Sequence, residues 1–474
     1  MTLKNLEDKK IAIVGMGVNN KHLAEYFRNK AIPFEIISDW KDQEDLVGKL
    51  DRFEIIFRTP GLPYLSIAIQ QAKLKGVTIH SQTKLFFDLC PCPIIGVTGT
   101  KGKGTTASLI SEILNSSRNS KISNLRSQIF LAGNIGQDPF EFLDQISKDD
   151  LVVLELSSFQ LQDLHSSPHV AVVLKITPEH LDYHKSVEEY IDAKKNIVVH
   201  QAKRDFAVIN YDNETSRSFA ALTDGGVLWN SMMNLVKPGC YVAGEKIFFD
   251  SPVPNPPLST MSSRPNGHQG DGSGGVRVGG SRIEIMEIKD VKLIGRFNLE
   301  NVTAAITAAS CLGPLDPNVI KKVVSEFHGL PHRLEFVSEI LGVKFFNDSF
   351  STTPETAMAA LSAFDEPVIL IAGGSEKNAD YTDLAGAVTD SKVKILIPIG
   401  ITGPKIAKAA RSAGFEGRIA EGDFGSMEEI VKKANSAAVS GDIVLLSPAS
   451  ASFDMFKDYK HRGELFRKFV KKLI

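Results

Sequence analysis

Cysteine is scarce in this chain of 474 residues: there are four, Cys90, Cys92, Cys240 and Cys311. Four are too few for a disulfide scaffold. The pair at 90 and 92 has no second Cys/His pair to complete a zinc site, so structural thiols in a reducing cytosol are expected. A dominant charge sign is also missing. Lys and Arg (54) nearly balance Asp and Glu (56), leaving a net charge of −2, which removes any global pull toward nucleic acid or an anionic membrane. No apolar run is long enough to cross a bilayer. The opening MTLKNLEDKK is polar and charged where a secretion signal would be apolar. No internal repeat is evident. A cytoplasmic protein with neither nucleic-acid nor membrane partners is expected.

Short β-branched runs alternate with amphipathic helical stretches, the pattern of an α/β protein with largely parallel sheets. The chain is too long for one core. Three domains are expected: a Rossmann-like N-terminal domain over residues 1–92, a central P-loop ATPase-type domain with a parallel sheet over 93–330, and a C-terminal dinucleotide-fold-like domain over 331–474. The first opens with a strand at 11–14, the turn Gly15-Met16-Gly17, a helix from about 21 to 29, and a strand at 34–38 that ends at Asp39. The third glycine of a GxGxxG fingerprint is replaced by Asn20, so a Rossmann-shaped domain that binds something other than a dinucleotide is expected. A strand at 54–57 leads to the turn TPGLP (59–63), and Pro91 and Pro93 mark the next boundary. Further strands are expected at 151–154, 170–176, 206–210, 343–346, 368–372, 395–400 and 443–447. Residues 251–282 are rich in Pro, Gly and Ser and are expected to form a flexible surface insertion without catalytic duty, with His268 a solvated loop residue. The basic stretch 457–474 suits a packed helix with a solvated cationic face.

The richest stretch for chemistry is PIIGVTGTKGKGTT at 93–106. An apolar run enters a glycine-rich turn centred on Lys103, and a helix-like segment follows. Glycines let backbone N–H groups close around phosphate oxygens, and the helix N-terminus adds partial positive charge. The match to the strict P-loop is imperfect: the first glycines sit at Gly96 and Gly99, and Gly104 follows the lysine, with Thr105 one residue later. Downstream, Glu155 ends the apolar run of LVVLELSSFQL, placed like a magnesium-binding carboxylate. In TPEHLDYH (177–184), His180 is the candidate neighbour of a magnesium–phosphate centre. His184 is expected to be an exposed residue at a helix start. Zinc on the two histidines would need third and fourth ligands that no spacing supplies.

The ordered series GVTGTKGKGTT, GNIG (133–136), ELSSFQL (155–161), TPEHLD (177–182), YIDAKK (190–195), GRFNLENVTAA (295–305), GLPHRLEFV (329–337), NDSFSTTPETA (347–357), GGSEK (373–377) and LLSPASASFDMFKDYKHRG (445–463) resembles the Mur ligase family of ATP-dependent amide-forming enzymes, in particular its D-glutamate-adding members. The motifs span nearly the whole chain in the family's order. The resemblance implies ATP and Mg2+ as cofactors, with UDP-N-acetylmuramoyl-L-alanine and D-glutamate as substrates of a monomer. It implies an ATP cradle of Gly99, Thr100, Lys101, Gly102, Lys103, Gly104 and Thr105. Asn298 and Asn301 match adenine-facing positions, and Arg333 and Asp348 match contacts to the phosphates and ribose. Magnesium is implied at Thr105, Glu155, His180 and Lys194, the last as a carbamate, and catalytic roles fall on Lys103, Glu155, His180 and Lys194. Substrate contacts are implied for Asp39, Asn134, Ser157, Gln160, Lys377, Ser452 and Tyr459. Phe350 departs from the family, standing where many members carry lysine.

Two other functions compete. One is a related amide ligase with a different amino acid or acceptor, including a folate-glutamylating enzyme, against which the Rossmann-like N-terminal domain argues. The other is a P-loop NTPase switch, which would need no amino-acid pocket around Lys377 and Ser452.

Overall fold

Strand β1 (Ile11–Val14) is buried along its whole length, as expected where helices cover both faces of a parallel sheet. It leads a four-stranded parallel sheet with β2 (Glu35–Ile37), β3 (Ile55–Arg58) and β4 (Thr78–Ser81), in the order β2-β1-β3-β4. The computed structural model describes residues 1–118, 127–133, 135–181, 183–251, 282–376 and 379–473. The Pro/Gly/Ser-rich insertion, Asn134 and Lys377 lie outside them, apart from the insertion's flanking Ser251 and Arg282. Helix α1 (Val18–Asn29) begins earlier than expected, because Gly17 serves as its N-cap. At Asn20, the damaged third position of the fingerprint, the fully buried side-chain amide donates to Val14 O (3.2 Å) and Gly15 O (2.7 Å). It thus ties the helix to the end of β1.

The second sheet has nine strands: β5 (Ile94–Thr98), β6 (Ile129–Ala132), β7 (Leu151–Glu155), β8 (Val170–Val173), β9 (Phe206–Asn210), β10 (Gly226–Ser231), β11 (Gly239–Ala243), β12 (Lys246–Asp250) and β13 (Arg282–Glu287). Their order is β13-β12-β11-β10-β9-β8-β5-β7-β6. Pairing is parallel from β6 across to β11, and antiparallel through β12 and β13. Asp250 pairs with Arg282, so the two flanks of the insertion meet side by side. Helix α2 (Lys103–Ser117) follows β5 directly. Short helix α3 (Ser158–Leu161) follows β7, and α4 (Val187–Lys195) follows the loop after β8.

These two sheets lie in one compact unit, Met1–Val291 with Leu299–Ser325. A shared core joins them, in which Phe27, Phe57 and Phe86 of the first region pack in one cluster with Phe130, Phe140 and Phe142 of the second. The edge-to-face pairs Phe27–Phe57 (5.2 Å) and Phe86–Phe142 (6.4 Å) are each worth about 0.5–1.5 kcal/mol beyond area burial. A buried ion pair adds a polar tie. Arg58, at the end of β3, donates to Asp163 Oδ1 (2.6 Å), to Phe159 O (2.9 Å) and to Leu62 O (3.0 Å).

The second unit comprises Lys292–Asn298 and Glu326–Ile474. Its sheet contains β14 (Glu335–Ile340), β15 (Val343–Asn347), β16 (Val368–Gly373), β17 (Val393–Ile399), β18 (Arg418–Ile419) and β19 (Ile443–Leu446), in the order β14-β15-β19-β16-β17-β18. Only the β14–β15 hairpin is antiparallel. Helix α5 (Asn298–Ser310) starts on a residue of this unit, and α6 (Tyr459–Lys471) closes the described chain. The α6 stripe Arg462, Phe466 and Val470 is buried, while Lys460, Lys468 and Lys471 are not, as expected for a packed helix with a cationic outer face.

Candidate active site

In the first unit the site forms at the carboxyl ends of β5, β7 and β8, where open α/β sheets place their ligands. The chain leaves β5 through Gly99 (φ +155°) and reaches α2 through Gly102 (φ +83°), which is the helix N-cap. Gly102 is required twice over. Its φ is left-handed, and an added Cβ would lie 2.1 Å from Asn301 Oδ1. Asn301 also accepts a hydrogen bond from Thr106 Oγ1 (3.1 Å), so α5 is pinned to the base of the loop. Lys103 Nζ lies over the loop's own carbonyls, donating to Thr100 O (3.0 Å) and Gly99 O (3.3 Å). Gly104 and Thr105 are buried in the first turn of α2. Lys101 is exposed and pairs with Glu179.

Thr100 locks the loop to its surroundings. Its hydroxyl donates to Thr177 O (2.9 Å), accepts from Thr177 N (2.8 Å), and meets Tyr190 OH at 2.9 Å. Burial pushes the Tyr190 phenol up to about 12, so it stays protonated. Tyr190 stands one turn before Lys194 on α4. Lys194 is 1% exposed, with Nζ donating to Gly99 O (2.9 Å) and Thr98 Oγ1 (3.3 Å) and lying 4.7 Å from the Tyr190 ring centroid. Burial, and next the positive charge of Lys103, hold the Lys194 amine well below the usual lysine range; Glu179 and Glu155 act in the opposite direction.

Glu155 ends β7 and is 3% exposed. Its Oε2 is buried without a hydrogen-bond partner, a costly arrangement unless a cation completes it. Gly133 (φ +119°) lets the neighbouring backbone approach, since a Cβ there would fall 2.7 Å from Glu155 O. His180 sits in the left-handed region (φ +58°), with Nε2 3.7 Å from Glu179 Oε2 and its ring 4.9 Å from Phe159. Among the described residues, no three His, Cys, Asp or Glu side chains cluster as a metal site. The orphaned Glu155 oxygen is a donor that suits a hard cation.

His184 corrects an expectation. Instead of being exposed at a helix start, it is 1% exposed, with Nε2 2.9 Å from Ser158 Oγ and Nδ1 3.3 Å from Glu189 Oε1. It bridges α3 and the first turn of α4, and the aromatic rings of Phe159, Tyr183 and Tyr190 lie against it. Ser157 and Gln160 form a reciprocal capping box at the start of α3. Asp39 is exposed beyond β2, with its carbonyl accepting from Lys49 Nζ (2.6 Å).

In the second unit, Asp348 follows β15. Its Oδ1 accepts from Leu334 N (3.1 Å) and Oδ2 from Ser447 Oγ (2.7 Å), and burial pushes its carboxyl up to about 6. Arg333 is flanked by His332 (φ +65°) and Leu334 (φ +44°), and its guanidinium lies 3.8 Å from the Phe350 ring centroid. Ser452 is buried before the turn that leads to α6, and Tyr459 opens that helix. Asn298 Nδ2 donates to Ile294 O (2.7 Å). One residue was missed. Arg462, fully buried, donates to Ser349 Oγ, Ser349 O, Ser450 O and Ala451 O at 2.9–3.3 Å, fastening the Ser349 and Ser450 loops to α6. Its spacing with Phe466 and Val470 put it on the helix's apolar face, which is the signal that could have found it.

Residues 97–227 match the Mur ligase middle domain, and residues 332–450 match the Mur ligase glutamate ligase domain. A UDP-N-acetylmuramoylalanine–D-glutamate ligase of Acetivibrio thermocellus is 37% identical over 98% of this chain and 97% of its own length. The enzyme of that name from Ruminiclostridium cellulolyticum is 34% identical over 99% and 98%. Among solved structures, MurF of Acinetobacter baumannii superposes with a TM-score of 0.58 at 14% identity over 98% of this chain and all of its own. UDP-N-acetylmuramate-alanine ligase of Thermotoga maritima gives 0.56 at 17% identity over 98% and 99%. These structural likenesses concern the fold.

Proposed function

The chain belongs to the Mur ligase family, and on that premise we propose how its own residues carry out the family's reaction. It is an ATP-dependent ligase that joins D-glutamate to UDP-N-acetylmuramoyl-L-alanine, a step of peptidoglycan precursor synthesis. Near-complete coverage of D-glutamate ligases carries this reading over a folate-glutamylating enzyme or an NTPase switch.

An oxygen of the acceptor carboxylate attacks the γ-phosphorus of ATP, the bond to ADP breaks, and an acyl phosphate forms. The D-glutamate nitrogen then attacks the acyl carbon, the carbon–oxygen bond to phosphate breaks, and the amine gives up a proton. Such transfers need positioning and charge neutralisation more than covalent help. The Gly99–Gly102 turn and the α2 N-terminus present N–H groups to phosphate oxygens. Lys103 moves from its own loop carbonyls to the phosphates. Thr105, Glu155, His180 and Lys194 as a carbamate would hold magnesium, which would supply charge neutralisation at the transferring phosphoryl group. Carbon dioxide adds to the unprotonated amine, so burial that disfavours the Lys194 cation supports its carbamylation. Arg333 and Asp348 serve the nucleotide together with Asn298. Asn301 acts by holding the loop. Ser452, Tyr459 and Lys377 receive D-glutamate, and Asp39, Asn134, Ser157 and Gln160 lie on the acceptor side. The domain limits at 92/93 and 330/331, a monomeric state and a cytoplasmic location belong to the same proposal. Among the described residues no helix is long and apolar enough to cross a membrane.

Phosphate release from ATP, assayed with each acceptor and amino acid in turn, tests this reading. Release should require UDP-N-acetylmuramoyl-L-alanine and D-glutamate together; release indifferent to both rejects it.

A further inference from the structure

Phe350 stands where many family members carry a lysine, and its surroundings show what the ring does instead. Residues 332–334 run beside 348–350 through two hydrogen bonds, one within the backbone and one to a side chain: Phe350 N donates to His332 O (3.0 Å), and Leu334 N donates to Asp348 Oδ1 (3.1 Å). The residues on either side of Arg333 are both left-handed, at φ +65° and +44°, which is uncommon for histidine and leucine and has to be held by the surroundings. This stapled kink aims Arg333 across Phe350, with the guanidinium carbon 3.8 Å from the ring centroid. The ring also meets Tyr459 at 5.0 Å, with the two planes at 89°. Phe350 is about one-third exposed, so the stack sits at the rim of the unit, partly wet.

We propose that Phe350 is a positioning residue, whose π face fixes the guanidinium of Arg333 for an anionic phosphate and whose edge sets Tyr459 beside it. Where a lysine would add a second cation, this chain uses an aromatic platform to orient the one it has. A planar guanidinium suits that use, because it stacks through its face and donates through its edge. The inference rests on the nucleotide-side reading of Arg333, and the experiment separates the two.

The test is MgADP binding to the full chain by calorimetry, in wild type, F350L, F350Y, R333M and the double variant F350L/R333M, with thermal melts to verify folding. F350L keeps apolar bulk and removes the π face. It should weaken ADP about three- to fivefold, the size of a cation–π contact at a partly exposed site, and F350Y should bind like wild type. In the R333M background, F350L should have no further effect, because Phe350 acts through that side chain; a merely structural role would add its loss in either background. If R333M weakens ADP while F350L binds like wild type, or if F350Y is no better than F350L, the positioning role is overturned and the reading of Arg333 stands. Unchanged ADP affinity in R333M overturns both.

Discussion

Lys194 owes its place to three neighbours: the Gly99 carbonyl and Thr98 hydroxyl receive its protons, and the Tyr190 ring lies beside it. Burial disfavours the Lys194 cation, and conversion to a carbamate would make the side chain a ligand for a cation beside Glu155. Lys194→Ala should therefore lose activity by a factor on the order of 100 or more, with partial return on adding a short carboxylate. With 13C-bicarbonate, the wild type should show a carbamate resonance that the variant lacks; the same spectrum from both would remove the carbamate from the account. Asp348 gives a prediction in pH. Its folded carboxyl is raised to about 6 from an ordinary 3.8, so its contribution to stability is full below pH 4 and is lost as pH rises through 6. Asp348→Asn can still accept from Leu334 N and donate to Ser447 Oγ. Its unfolding free energy relative to wild type should climb between pH 4 and 7, by at most about 3 kcal/mol. A difference independent of pH would contradict the assigned ionisation.

At the scale of elements, the turn after β3 is held by Arg58 to α3 and to Asp163 just beyond it, with Tyr183 OH adding a bond to Pro60 O (2.8 Å). Both charged side chains of that ion pair are fully buried. Removing one partner strands the other charge, whereas replacing both with apolar residues of similar volume can be neutral. Asp163→Ala should cost about 3–5 kcal/mol in denaturant unfolding, and Arg58→Met/Asp163→Leu should recover most of it. A loss under about 1 kcal/mol for the single variant would show the pair to be solvated. The elements that the sequence revealed best are those whose signal is local: the apolar run into glycines at β5–α2, the buried runs of β1, β7 and β16, and the basic amphipathic α6. The hairpin pairing of β11, β12 and β13 was hidden, because five- and six-residue strands carry little period and the 252–281 stretch separates two of them. The Ser157/Gln160 spacing is that of a capping box, a local signal that coincides with the substrate role implied by resemblance.

Across the whole molecule, three sheets and the order of the ligase motifs were legible in the sequence, since hydrophobic runs and glycine turns fix strands and their exits. What was not legible depends on residues far apart in the chain. Asn301 closes on Gly102 from a helix nearly two hundred residues later. His184 is buried because α3 and α4 converge on it, and Phe350 acquires a role only when the 332–334 kink and α6 meet its two sides. The reaction is a carboxylate activated by ATP and captured by D-glutamate. Its most direct test uses acceptor labelled with 18O in the alanyl carboxylate, with mass analysis of the released phosphate. One labelled oxygen should appear in phosphate for each amide formed, carried there through the acyl phosphate. Phosphate that carries no label while amide accumulates would contradict the account.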